Sequence, residues 1–299
     1  MPEPWHPRLR WRGATLRPGE DRVLSRRQQG SGVTHPRPGP ARGGPRAGTR
    51  PAGGQDVRDH AGKDRDTARP RPTGDAPPPW LAQRILHQDA EVLILDKPAG
   101  LPVHAGPRGK PSLEDWLPLL QQGKRHLPQP AHRLDADTAG CLALGRTKPA
   151  LAALGALFAA GRAEKTYWAV ALGSPADESG TVDAPLRKVS TARTGWRMEP
   201  HPEGQPARTA WRVLGRGPGL TWLELRPATG RTHQLRLHCG MICGPILGDP
   251  LYGQAAPGGL HLFARALRLP LEPPRAAEAP LPEAMRAGFA ACGWMPDEG

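Results

Sequence analysis

Of the first 79 residues, 14 are Pro and 12 are Gly, so one position in three either lacks a backbone N–H or carries no side chain. Such residues resist regular hydrogen-bonded ladders. The apolar side chains among them are scattered, with no period of two or of 3.6. A stretch of this kind cannot remove enough apolar surface from water to offset its ordering entropy, so residues 1–79 are expected to be disordered. They also hold 16 Arg or Lys against 8 Asp or Glu, which is +8 of the +13 carried by the whole 299-residue chain. Two readings are open for this extension. It is a basic arm that adds nonspecific affinity for RNA, or it is upstream reading frame ahead of a start at another codon near residue 75–80, since the next methionine after Met1 is Met198. Either way the fold is expected from Trp80 onward, as a domain over residues 80–275 followed by a C-terminal tail over 276–299.

From Trp80 the pattern changes. Glu91–Asp96 reads as a short buried strand closed by the turn Lys97-Pro98-Ala99-Gly100. Ser112 followed by Asp115 resembles a capping box, and Leu113, Trp116, Leu117 and Leu120 give the helix behind it one core face. Cys141–Leu144 reads as a strand, and Thr147 caps a helix with the stripe Leu151, Leu154, Leu157 and Phe158, ended by Gly161. Glu164–Leu172 alternates, with Lys165 and Tyr167 on one face and Trp168, Val170 and Leu172 on the other. Residues 173–219 read as loop-rich, with short strands around Trp196–Met198 and Thr209–Leu214. Leu220–Leu225 is a firmer strand, Thr232 is placed to cap a helix that turns Leu235 and Cys239 inward, and Leu260–Leu269 reads as the last strand before a ragged end from Pro270. Strands and helices interleave without regular βαβ units, which predicts an α+β domain on a mixed, largely antiparallel central sheet with flanking helices.

The charge points to a polyanionic partner. No apolar run approaches the ~18 residues of a membrane span, and MPEPWHPRLR has no apolar core of a secretory signal. A cytoplasmic protein is expected, with no membrane partner. It is read as a monomer, because nothing in the sequence points to an extensive apolar interface. The four cysteines are too sparse and irregular for a disulfide framework; Cys239 and Cys243 beside His238 lack a second ligand pair and read as helix-face thiols, so no metal is expected.

The candidate chemistry centres on Ala131–Gly140, where Asp135 sits in a polar turn before an apolar run. Taken alone, that aspartate reads as a solvated turn residue. Tyr167 shares a strand face with Lys165, and Arg231 stands at a strand-to-helix turn permitted by Gly230. The glycine-punctuated loop Gly244–Gly253 has neither the lysine nor the spacing of a nucleotide-binding loop.

Together, HRLDADTAG (132–140), EKTYWAV (164–170), GRTHQLRLH (230–238) and GPILGDPLYG (244–253) resemble the RluA-type pseudouridine synthases in content, order and spacing, over about residues 80–270. The resemblance implies a pseudouridine-synthase-like catalytic domain with an active-site cleft. There a uridine in structured RNA, a tRNA or rRNA stem-loop, is isomerised with no cofactor and no metal. It implies Asp135 as the catalytic carboxylate, Tyr167 as the ring that stacks on the uracil, and Arg231 as the cation paired with the aspartate. Arg133 lies beside the extruded nucleotide. With His132, Lys165 and Arg236 it makes the expected RNA-binding set, and His132 and Leu235 also serve packing and positioning. Ala136 and Ala139 stand where the family usually has a basic residue and a serine, and Phe263 stands where relatives often carry histidine. No S4-type domain precedes the core, which points to the compact branch. A noncatalytic RNA-binding or chaperone protein is the competing reading. A glycoside hydrolase using Asp135 and Asp137 is weaker, because residues two apart in a turn rarely place both acids across a sugar.

Overall fold

The computed structural model describes residues 79–106, 111–191 and 195–296; the expectations for residues 1–78 lie outside them. The chain enters through a single helical turn, α1 (Pro79–Ala82), and the hairpin β1 (Ile85–Gln88) and β2 (Val92–Lys97). A 3-10 helix (Leu113–Leu120) precedes the two-residue β3 (Gln129–Pro130) and β4 (Ala139–Gly145). Helix α2 (Lys148–Ala159) leads to β5 (Glu164–Leu172), and β6 (Ser179–Asp183), β7 (Leu186–Thr191), β8 (Gly195–Pro200) and β9 (Arg208–Gly217) follow. The remainder is β10 (Leu220–Pro227), α3 (Gln234–Ile242), β11 (Leu262–Leu269), β12 (Arg275–Glu278) and α4 (Glu283–Ala290).

Ten strands form one sheet in the order β1-β2-β4-β11-β5-β10-β9-β6, with β3 added on β4 and β12 on β11. Every pairing in it is antiparallel except β4 with β11, so the mixed, largely antiparallel α+β architecture is the one the sequence predicts. Strand β2 is buried along its whole length, and its alternation shows why its residues are apolar on both sides. Val92 and Ile94 face a core with Leu154 and Leu157 of α2 and Phe289 of α4. Leu93 and Leu95 face the opposite core with Leu113, Leu117 and Leu120 of the 3-10 helix. A third cluster packs Leu235 and Cys239 of α3 against Ala169, Leu223 and Leu225.

Three expectations change. The helix after Ser112 is 3-10 rather than α: Asp115 does accept from the Ser112 N–H at 2.8 Å, but Pro118 sits inside and cannot donate to an i−4 carbonyl. Residues 173–219 are mostly strand. The short strands expected around Trp196–Met198 and Thr209–Leu214 lie within β8 and β9, whereas β6 and β7 are not among the strands expected. The β7–β8 hairpin is paired outside the main sheet and β8 buries little, so its hydrophobic alternation is weak. Nor is the chain ragged from Pro270. The Arg275 guanidinium ties β12 to the β1–β2 turn through Asp89 (2.8 Å) and Glu91 (3.1 Å). In α4, Phe289 is fully buried against Trp168 and Trp222. The expected tail over 276–299 is therefore structural as far as residue 296.

Phe289→Ala should lower the unfolding free energy by about 3–5 kcal/mol, as for other buried aromatics cut to alanine. Urea denaturation checks this, and a loss below about 1 kcal/mol would mean that α4 adds nothing to the core.

Candidate active site

The register of β2 on β4 sets Lys97 opposite Gly140, at the end of the turn that carries Asp135. Lys97 is fully buried, and its ammonium donates to three backbone carbonyls: Pro98 (2.8 Å), Leu101 (2.7 Å) and Ala136 (3.0 Å). Ala136 lies between Asp135 and Asp137, and its carbonyl also accepts from the Gly100 N–H at 2.9 Å. The turn is closed by the Thr138 N–H on the Asp135 carbonyl at 3.1 Å. Burial pushes the Lys97 amine down to about 8, against the pull of Asp137 and Asp135. Sequence reading treated Lys97 only as part of a closing turn. The missed signal is a lysine ending an otherwise apolar buried strand, where a cation has to find partners.

Two further contacts fix the motif. The His132 Nε2 accepts from the Ala143 N–H at 3.0 Å, and the ring stacks on Phe158 with centroids 4.3 Å apart. Burial, aided by the Lys165 charge, pushes the imidazole down to about 3, so it is neutral. Gly140 has φ +106°, and a Cβ there would collide with the Ala264 carbonyl across the parallel β4–β11 pairing. Only glycine meets both demands.

Tyr167 reaches Asp135 across β11, which lies between β4 and β5 in the sheet. Asp135 and Tyr167 line one cavity of about 460 Å³ with His132, Arg133, Lys165, Arg231 and Arg236. All seven residues singled out from the sequence therefore meet in one place, although three separate motif blocks supply them. Burial, and after it the Asp135 charge, pushes the Tyr167 phenol well above its ordinary range, which keeps it protonated. Burial likewise lowers the Lys165 amine.

Two of the pocket arginines, Arg231 and Arg236, have partners other than those expected. No cation among the described residues lies within ion-pair distance of the Asp135 carboxylate. Arg231 is exposed, and its Nε donates to the Pro206 carbonyl at 3.0 Å. The expected Asp135–Arg231 pair is therefore not formed, because Arg231 lies on the outer bend of the turn into α3. That bend is held by Gln234, whose Oε1 accepts from the Arg231 N–H (3.0 Å) and from the Thr229 hydroxyl (2.8 Å). The N-cap of α3 is His233 rather than Thr232, with left-handed backbone at φ 53° and ψ 17°. Arg236, expected to bind RNA, is 4% exposed and forks onto Asp249 at 2.8 and 2.5 Å, with the Tyr252 ring 5.1 Å from its guanidinium carbon. Burial would raise the Asp249 carboxyl, but the Arg236 fork and two backbone N–H groups hold it below its usual value. Arg236 thus lines the pocket with its guanidinium committed to Asp249, and the Asp135 charge is felt there.

The family model for RNA pseudouridylate synthases matches residues 91–240. An uncharacterized RNA pseudouridine synthase of Zymomonas mobilis is 42% identical over 212 residues, covering 69% of this chain and 97% of the relative. The ribosomal large subunit pseudouridine synthase D of Yersinia pestis is 39% identical over 182 residues, covering 58% of this chain but only 55% of that protein. The chain thus spans about half the length of this second relative. Among solved structures, the human RNA pseudouridylate synthase domain containing 4 superposes with a TM-score of 0.62 at 29% identity, covering 73% of this chain and 96% of that one.

The Lys97 cage makes a pH prediction. With its folded value about 8 and its ordinary value 10.5, the unfolded chain holds more protons than the folded chain between those limits. This group's contribution to stability therefore rises with pH across that window. Urea midpoints measured from pH 7.5 to 10 should shift in favour of the wild type relative to Lys97→Met. A constant difference would show that the buried amine does not titrate there.

Proposed function

The chain belongs to the RNA pseudouridylate synthase family, and from that premise we propose that it isomerises a specific uridine of ribosomal or transfer RNA with Asp135 as the essential carboxylate. The observation that carries the reading is the convergence of Asp135, Tyr167 and the cations Arg133, Lys165 and Arg231 on one pocket. The reaction breaks the N1–C1′ bond of the nucleotide, turns the base, and joins C5 to C1′. A proton leaves C5 and one arrives at N1, so composition is unchanged and no redox or group-transfer partner is called for.

Two first steps are open to a carboxylate here: attack on the sugar or base, or removal of the 2′-hydrogen. Both need Asp135 ionised. Its turn is pinned by Lys97, and the Arg236 charge acts on it from the same pocket, so cationic charge is near the site without a direct partner covering the carboxylate. Tyr167, kept as a phenol, offers its face to the uracil. Stacking on an aromatic ring contributes about 1–3 kcal/mol per base, which offsets part of the few kcal/mol needed to extrude a nucleotide. Arg133 and Arg231, both exposed at the pocket, are placed to meet phosphates. His132 and Arg236 serve instead as positioning residues, because their polar atoms are engaged by Ala143 and Asp249. The name of the Yersinia relative makes large-subunit rRNA the first RNA to test. Action as a cytoplasmic monomer is part of the proposal; among the described residues no helix is long and apolar enough to cross a membrane.

A binding-only protein on the same fold would gain nothing from a carboxylate in a phosphate-binding cleft, where it repels the ligand. Asp135→Asn separates the two readings. Pseudouridine mapping of rRNA and tRNA by carbodiimide-dependent reverse-transcription stops should show one or a few sites lost without the gene. Those sites should be restored by wild type and not by the asparagine variant, whose RNA affinity should stay within a few fold. No site changing in any RNA would leave the binding protein as the better account.

A further inference from the structure

We propose that the inner face of the β7–β8 hairpin is a nucleotide subsite, on which a base neighbouring the target uridine stacks against Trp196 while its phosphate pairs with Lys188. This rests on the RNA reading above and extends it to a surface outside the pocket. The hairpin stands apart from the ten-stranded sheet. Its register sets Lys188 opposite Met198 and Ser190 opposite Trp196, so these four side chains share one face. Arg187 and Glu199 stand on the other face, where they pair at 3.0 Å and balance each other.

The inner face is joined to the pocket. Trp196 stacks on His233 with centroids 5.2 Å apart and planes at 21°, and His233 lines the cavity with Asp135. The Tyr252 hydroxyl fixes the arrangement. It accepts from the Met198 N–H at 3.1 Å and lies 2.8 Å from the His233 Nδ1. Backbone of the hairpin, an aromatic ring and the first turn of α3 are thus held as one unit. Yet Trp196 remains 47% exposed, the most exposed tryptophan among the described residues. A fold that wanted only to brace His233 would bury such a ring.

The ammonium of Lys188 lies over the indole, 4.9 Å from its centre. An exposed cation–π contact is weaker than a base stacked on the same ring. An incoming base therefore displaces the ammonium, whose flexible stem leaves it free to follow the attached phosphate. Indole faces accept every base, so this subsite supplies affinity and placement rather than sequence choice. Its occupant is an unstacked RNA nucleotide and not an acidic peptide, because the indole needs a planar partner and the pocket beside it is the one built for a base.

The test uses the full chain and an unmodified in vitro transcript of large-subunit rRNA, with binding and turnover measured separately. Trp196→Ala should weaken binding about 5- to 100-fold, with the loss falling on KM more than on kcat, and Trp196→Phe should recover most of it. Lys188→Ala should reduce the slope of log affinity against log salt by about 0.7–0.9, the share of one phosphate. Unchanged binding in both alanine variants overturns the subsite. So does a Trp196→Ala loss that phenylalanine fails to recover while the Lys188→Ala slope stays at the wild-type value, since the ring would then only be supporting His233. If the wild type converts no uridine, the reaction assigned above fails. The binding arms, run in the Asp135→Asn background, still decide the subsite.

Discussion

A lysine ammonium with no access to water must be surrounded by acceptors, and Lys97 finds three of them in backbone carbonyls. One belongs to Ala136, the residue between the two aspartates of the central turn. Removing any of these acceptors would leave a buried charge short of hydrogen bonds, which is among the more costly defects a fold can carry. The cage therefore works in both directions. The turn cannot drift without exposing the charge, and the charge cannot leave because its strand is buried from Val92 to Lys97. Since β2 pairs with β4 in a fixed register, the position of Asp135 is set by the central sheet rather than by the loop that carries it.

From that fixed point the rest of the site is a matter of strand order. Strand β11 lies between β4 and β5, and β10 lies beyond β5, so Asp135, Tyr167 and the turn after Pro227 end on one edge of the same surface. The parallel β4–β11 pairing brings the chain so close at Gly140 that a side chain has no room, which is why the acidic turn ends in glycine. A network of the buried Asp249 and Arg236 with the half-buried Tyr252 and His233 holds the head of α3. Here charges are matched inside the protein, whereas Arg133 and Arg231 stay exposed at the pocket. The site combines a rigid acidic centre with cations at its rim, an arrangement suited to drawing in a polyanion without neutralising the carboxylate.

Sequence reading found what local rules govern. The alternation over residues 164–172, the stripe capped by Thr147 and the apolar run of β2 each follow from a period that burial on one or both faces imposes. It failed where burial is weak or comes from distant segments. Strands β7 and β8 are half-solvated, so only the short piece Trp196–Met198 of β8 could be read and β7 could not. The segment from Pro270 looked ragged because α4 is short and its apolar residues are few; distant residues such as Trp168 and Trp222, more than 60 positions away, make a core position of Phe289.

The same division runs through the site. The sequence by itself determined the fold class, the four motif blocks and the seven residues that line the pocket, because those depend on residue type and spacing. Only the tertiary structure decided which of them are exposed at the rim and which are locked inside. Arg231 and Arg236 stand five apart in one motif, yet one lies at the rim on the Pro206 carbonyl and the other is locked onto Asp249. It likewise decided that Lys97 holds the turn and that Trp196 reaches His233. Partners for a charge are chosen by proximity across the sheet, and proximity between residues 39 or 37 positions apart is written in strand register, not in any local pattern.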